Sequence, residues 1–220
     1  MELDHIFICV SEEAPEGDLL TAFGLTEGSA NTHPGQGTAN RRFFFHNAFI
    51  ELLYLNDPEE ADSALTRPTM LLERLTQRGA AVSPFGFCFR PETGKERSPA
   101  PFKSWDYRPQ YLPETLRVEV GKSPLSEPMW FYLEFAGRPD QAAPERAQPL
   151  THATGFREIT RVCVTSPNRE TPSDAAILAT TAGGFEMSTA DESLLEIGFD
   201  HEKEGKHHDF RPHLPLVFRW

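Results

Sequence analysis

The chain has 220 residues, 39% of them hydrophobic and 25% charged, which fits a soluble globular protein with one sizeable core or two or three small modules. Its formal net charge is −12, and no basic cluster longer than Arg41–Arg42 breaks that average, so nucleic acid is not expected as a partner. No stretch reaches the roughly 18–20 apolar residues that span a membrane.

The opening MELDHIFICVSEE lacks the basic flank and small-residue cleavage site of a signal peptide. Within it, residues 3–10 (LDHIFICV) alternate as a strand, with His5, Phe7 and Cys9 on one face. Residues 15–23 read as a short helix, with Pro15 in its first turn. A Gly-rich loop, 31–38, precedes two strands at about 40–46 and 49–55. The two residues between them give hairpin spacing. Residues 66–78 look helical, with Thr66 as a candidate cap and Gly79 as the stop. Residues 84–91 form a strand bounded by prolines. The stretch 92–128 is expected to hold long loops and one strand near Ser104–Arg108. MWFYLEF, 129–135, is a further strand, and 137–150 reads as a linker. A strand at 158–165, a helix at 172–182 and strands at 185–188 and 193–199 follow. The chain closes on an expected edge strand ending in Trp220.

Cys9, Cys88 and Cys163 all lie in hydrophobic runs, and their number is odd. They read as buried free thiols in a reducing compartment, with the cytoplasm as the expected location. No CxxC pair supports a cysteine-rich zinc site.

The chemistry concentrates on His5 and Glu51. Glu51 stands among Phe49, Ile50, Leu52, Leu53, Tyr54 and Leu55. A carboxylate on an apolar face must be paired, neutralised or metal-bound. Imidazole plus carboxylate is a partial ligand set for a divalent ion. The alternative is a structural role, with Glu51 paired to Arg41 or Arg42 and His5 bonded to a carbonyl. Cys88 and Glu134 stand at the same separation as His5 and Glu51, which makes Glu134 a candidate ligand or general base. In the last part Arg161 and Glu196 take the corresponding places. Arginine has no lone pair for a cation, so these two read as a structural ion pair.

In the loop, Gly35 and Gly37 allow positive φ, and their amides are candidates for binding an anion. His33, Gln36, Thr38 and Asn40 would then line a rim, with Arg42 as an anchor for a substrate carboxylate. Phe7, Phe44, Trp105, Trp130 and Tyr132 are candidate walls of a small-molecule cavity. The interleaved charges around His201, His207 and His208 read as a solvated hairpin loop.

LDHIFICV, HPGQGTANRRFFFHNAFIELLYL and ATGFREITRVCVTSPN together resemble glyoxalase-like proteins of the vicinal oxygen chelate superfamily, most closely over residues 3–56. The resemblance implies an α+β fold of repeated βαβββ modules whose curved mixed sheets make a half-open barrel. It places the metal-ligand roles of the first and fourth strands on His5 and Glu51. Three units are expected: 1–80, a first module with its following helix; 81–150, a loop-rich strand module and linker; and 151–220, a strand–helix–strand module completing the sheets. The implied function is a divalent-metal-dependent lyase or isomerase acting on a small oxygenated metabolite. A metal-free small-molecule binder and a ring-cleaving dioxygenase are the alternatives, in a monomer or homodimer.

Overall fold

The computed structural model describes residues 1–77, 79 and 81–220. The chain runs β1 (Glu2–Cys9), α1 (Gly17–Phe23), β2 (Asn31–His33), β3 (Thr38–Phe44), β4 (Phe49–Leu55), α2 (Pro58–Ala61) and α3 (Leu71–Thr76). It continues with β5 (Phe85–Arg90), β6 (Ser104–Tyr107), β7 (Val118–Gly121), β8 (Met129–Tyr132) and β9 (Ile159–Ser166). Last come α4 (Asp174–Ala179), β10 (Phe185–Thr189), β11 (Leu194–Phe199), β12 (His207–Asp209) and β13 (Leu216–Arg219).

Local chemistry sets the short helices. Gly24, at φ 113°, closes α1 in the left-handed conformation, its N–H donating to Leu20 and Thr21 carbonyls. Asp57 caps α2 by accepting from the Glu59 and Glu60 amides. The helix expected over 66–78 is shorter. A single 3₁₀ turn covers Arg67–Thr69, and Met70, at φ 57°, separates it from α3. Its expected last residue, Arg78, and Ala80, at the expected end of the first unit, lie outside the described residues.

Eight strands form one curved, half-open mixed sheet in the order β2-β3-β4-β1-β5-β8-β7-β6. The order reads alike from both ends. β1 pairs parallel with β4 as β5 does with β8. Each half then continues with two antiparallel pairings, β4-β3-β2 and β8-β7-β6. The halves meet where β1 and β5 run antiparallel. The second half departs from the expected unit, because residues 91–103 carry no helix between β5 and β6. β7, VEVG, is a strand that the Pro- and Lys-rich surroundings concealed.

The remaining five strands make a separate sheet, β10-β9-β11-β13-β12, which is not curled in the same way. β13, expected at an edge, lies inside this sheet, and the exposed β12 is the edge strand. The two sheets share the main core. Phe87 stacks on Trp130, with centroids 5.4 Å apart, and meets Phe185 of the second sheet edge-on at 4.9 Å. Such aromatic pairs add about 0.5–1.5 kcal/mol each beyond area burial. Buried Glu127 also ties the sheets. It accepts from the Trp130 indole at 3.1 Å, and from the amide and hydroxyl of Ser173, the N-cap of α4. The other face of the first sheet carries a smaller cluster around Phe7, Cys88, Val118, Met129 and Phe131, and this face forms the cup.

Candidate metal centre

Two neighbouring rows of side chains cross the floor of the cup. One runs Arg42, Glu51, Phe7, Gly86, Met129. The other runs Phe44, Phe49, His5, Cys88, Phe131. Gly86 must be glycine in this arrangement, since a Cβ there would lie 2.1 Å from the Phe7 ring.

His5 is buried at 7% exposure. Its ring stacks on Phe49 at 4.4 Å and meets Phe131 edge-on at 5.2 Å. Nδ1 lies 2.7 Å from Asp4 Oδ2, and Nε2 lies 3.6 Å from Glu51 Oε2. Strict alternation would put Asp4 on the opposite face from His5. A break in the β1–β5 register between Leu3 and His5 brings the two side chains together instead. A polar Asp-His pair in an apolar strand was the available signal for Asp4; the bulge itself was not readable from the residues.

Asp4 also accepts from Arg90 Nη1 at 2.9 Å. Burial pushes its carboxyl upward, but the hydrogen bonds and charges of His5 and Arg90 outweigh that and hold it below the usual carboxylate range. Glu51 accepts from Asn40 Nδ2 at 2.5 Å. Arg41 turns away to Glu27 and Asp18, so it does not neutralise Glu51.

Asp4, His5 and Cys88 form a buried cluster whose donor atoms all lie within 4.8 Å of one another. Burial pushes the Cys88 thiol well up, so the sulfur is protonated unless a cation displaces the proton. Imidazole nitrogen, carboxylate oxygen and sulfur suit a divalent ion of borderline softness, so the cluster could coordinate a divalent metal. His5 belongs both to this set and to the pair with Glu51.

The cavity above the floor has a volume of about 170 Å³. Its walls are largely apolar, with Leu53, Leu71, Leu112 and Leu133 beside the aromatic rings. Of the rim residues expected from sequence, His33, Gln36, Asn40 and Arg42 line it. Thr38 instead binds His33 and Gln36, each at 2.8 Å. Tyr111 and Tyr107, not singled out from sequence, also line the cavity. Tyr111 packs on His33 at 4.8 Å, and burial raises its hydroxyl above the ordinary range.

Four expected residues lie elsewhere. Trp130 and Tyr132 point to the main core on the opposite face of β8. Trp105 lines a separate recess with Met70, Arg74 and Val120. Glu134 sits in the turn after β8, 3.9 Å from Arg117. The register explains this last placement. Cys88 faces Phe131 as His5 faces Phe49, so the counterpart of Glu51 is Leu133, and Glu134 is one residue out of phase. The Gly35 and Gly37 amides are not open to an outside anion, because both donate to Glu60, at 2.7 and 3.1 Å. Arg161 and Glu196 do face each other, at 3.8 Å, with Arg219 also on Glu196.

Residues 3–100 match the Glyoxalase-like domain family. The N-terminal part of the chain is a glyoxalase-like domain. It contributes β1 to β5, and with them Asp4, His5, Glu51 and Cys88. Over these residues the match supports a generic relation to the vicinal oxygen chelate superfamily. A hypothetical protein from Staphylococcus aureus is similar in structure, with a TM-score of 0.54 at 12% identity, covering 99% of this chain and 98% of that chain. That likeness concerns the fold alone. No curated protein matches the sequence. No helix among the described residues is long and apolar enough to cross a membrane.

Proposed function

We propose that the cup is the site of a divalent-metal-dependent lyase or isomerase acting on a small oxygenated molecule with an apolar body. The observation that carries this reading is the approach of His5 Nε2 to Glu51 Oε2, 3.6 Å apart at the floor of an otherwise apolar cavity. His5, through Nε2, and Glu51 would hold the ion. A cation held there supplies charge that polarises a carbonyl and stabilises a developing enolate.

The chain's own residues set up the rest. Asp4 accepts the Nδ1 proton of His5 and leaves Nε2 to face the cup, the usual support of a ligating histidine. Asn40 fixes one oxygen of Glu51, so the other is free to bind or to move a proton. The apolar walls exclude water and hold the substrate body. The cluster contains one histidine, which favours this chemistry over a ring-cleaving dioxygenase with its two histidines and one carboxylate. One chain lines both halves of the cup, so a monomer would suffice.

A second reading, a metal-free binder, is favoured by one observation: Phe131 and Leu133 occupy the β8 side where further ligands would be needed. Elemental analysis of the purified protein and of H5A and E51A separates the two. Stoichiometric metal, lost in both variants, supports the enzyme. Absence of metal with unchanged small-molecule binding overturns it in favour of the binder.

A further inference from the structure

Arg42 stands apart from the other strand arginines of the eight-stranded sheet. Arg41 has Glu27 and Asp18 as partners, at 2.6 and 2.9 Å. Arg90 has Glu2 and Asp4, at 3.0 and 2.9 Å. Arg42 lines the cup but makes no ion pair within 4.0 Å among the described residues. Its Nε and Nη2 are fixed by the carbonyl and hydroxyl of Ser29, at 2.8 and 3.0 Å, and its guanidinium lies over the Phe44 ring at 5.1 Å. These contacts hold the head rigid without neutralising it. Burial disfavours its charge, and the nearby Glu51 only partly offsets this. A partly buried cation that is oriented but unpaired is matched by an anion arriving from outside.

We infer that the cup takes a small monocarboxylate with an apolar body of about one ring, its carboxylate on Arg42. This deepens the reading of the cup as a small-molecule site and rests on it. The size follows from the cavity of about 170 Å³, since an apolar cavity of roughly 150 Å³ accommodates benzene. The single charge follows from the register. Glu51 is directly opposite Arg42 on the neighbouring strand, so the second charge of a phosphate monoester would face a carboxylate. The same register fixes which part of the ligand meets His5. Arg42 and His5 are on strands separated only by β4, about 10 Å at the usual strand spacing. A carboxylate on Arg42 therefore presents the carbons next to it to Glu51 and His5, with the ring against Phe49 and Phe131.

The test uses benzoate, its neutral isostere benzamide and phenyl phosphate as probes, with ligand-observed NMR and calorimetry on the full chain. Benzoate is expected to bind at least about ten-fold more tightly than benzamide or phenyl phosphate. Arg42→Gln is expected to bring the benzoate-to-benzamide ratio near one while keeping benzamide binding, which shows that the cup is still formed. Arg42→Lys should recover part of the preference. Equal binding of benzoate and benzamide, an unchanged ratio in Arg42→Gln, tighter binding of phenyl phosphate, or no benzoate binding at millimolar concentration would each overturn the inference. Metal content is measured on the same samples. A benzoate preference without bound metal sinks the metal-enzyme reading and leaves this one standing. Bound metal without the preference does the reverse.

Discussion

His5 Nδ1 lies 2.7 Å from Asp4 Oδ2, its immediate neighbour in the chain. Adjacent strand residues ordinarily point to opposite faces, and here a bulge turns the second carboxylate behind the imidazole. The pair fixes the ring so that its other nitrogen looks into the cup. Asp4→Asn keeps the shape but removes the charge that draws the Nδ1 proton. Metal affinity is expected to fall about 10- to 100-fold, as for other supporting carboxylates, in competition with a chromophoric chelator. Unchanged affinity would assign Asp4 to Arg90 alone.

Asn40 is the donor that satisfies Glu51 inside the sheet. Asn40→Ala leaves a buried carboxylate oxygen unpaired and is expected to cost about 1–3 kcal/mol in urea unfolding. Asn40→Asp places a second acid against the first and should cost more. Equal stability of Asn40→Asp and the parent would show that Glu51 is solvated.

Gly86→Ala drives a methyl into the Phe7 ring, on the side of β5 that faces the cup. Overpacking of this kind costs about 1–3 kcal/mol. Adding Phe7→Leu should return part of that loss, giving a coupling energy of opposite sign in a double-mutant cycle. Additive losses would mean that the ring moves aside freely.

His152, just beyond the linker, ties its segment to the first sheet as a neutral imidazole. Nδ1 accepts from the Thr26 amide at 3.0 Å, and Nε2 donates to the Phe44 carbonyl at 2.9 Å. Burial lowers its pKa, the Phe44 bond raising it less than burial lowers it. The folded state therefore resists protonation more than the unfolded chain does. The stabilisation is full above the unfolded value of about 6.5 and is lost as pH falls below it toward the folded value. Melting temperature should drop between pH 7.5 and 5.5 more in the parent than in His152→Gln. His33, lowered mainly by burial, contributes in the same direction in both proteins and leaves the difference to His152.

Much of the first half-sheet was legible because its strands carry polar residues at telling places. His5 on one alternating run and Glu51 on another, joined through a hairpin, define a face without any coordinates. The second half offered no such marks. β8 reads MWFY and is buried on both faces, so nothing in its composition says which of Trp130 and Phe131 looks into the cup. Only its pairing with β5 decides that, and a shift of one residue was enough to misplace Glu134. Asp4 escaped notice because a bulge breaks the very alternation used to find His5. The loop amides at Gly35 and Gly37 looked available because their partner, Glu60, comes from a short helix with no motif of its own. Composition did carry the cysteines: none is in a disulfide, Cys9 and Cys88 are buried, and Cys163 is half-buried.

The mirror-like strand order has a practical consequence. Polar floor residues gather on β1, β3 and β4, whereas β7 and β8 present Val118, Met129, Phe131 and the adjoining Leu133. Polar and apolar lining thus reside on separate ribbons. Trimming or enlarging side chains along the hydrocarbon ribbon would change the shape of the cup while leaving His5, Glu51 and Arg42 in place, which makes that wall the natural starting point for re-tailoring which guests fit.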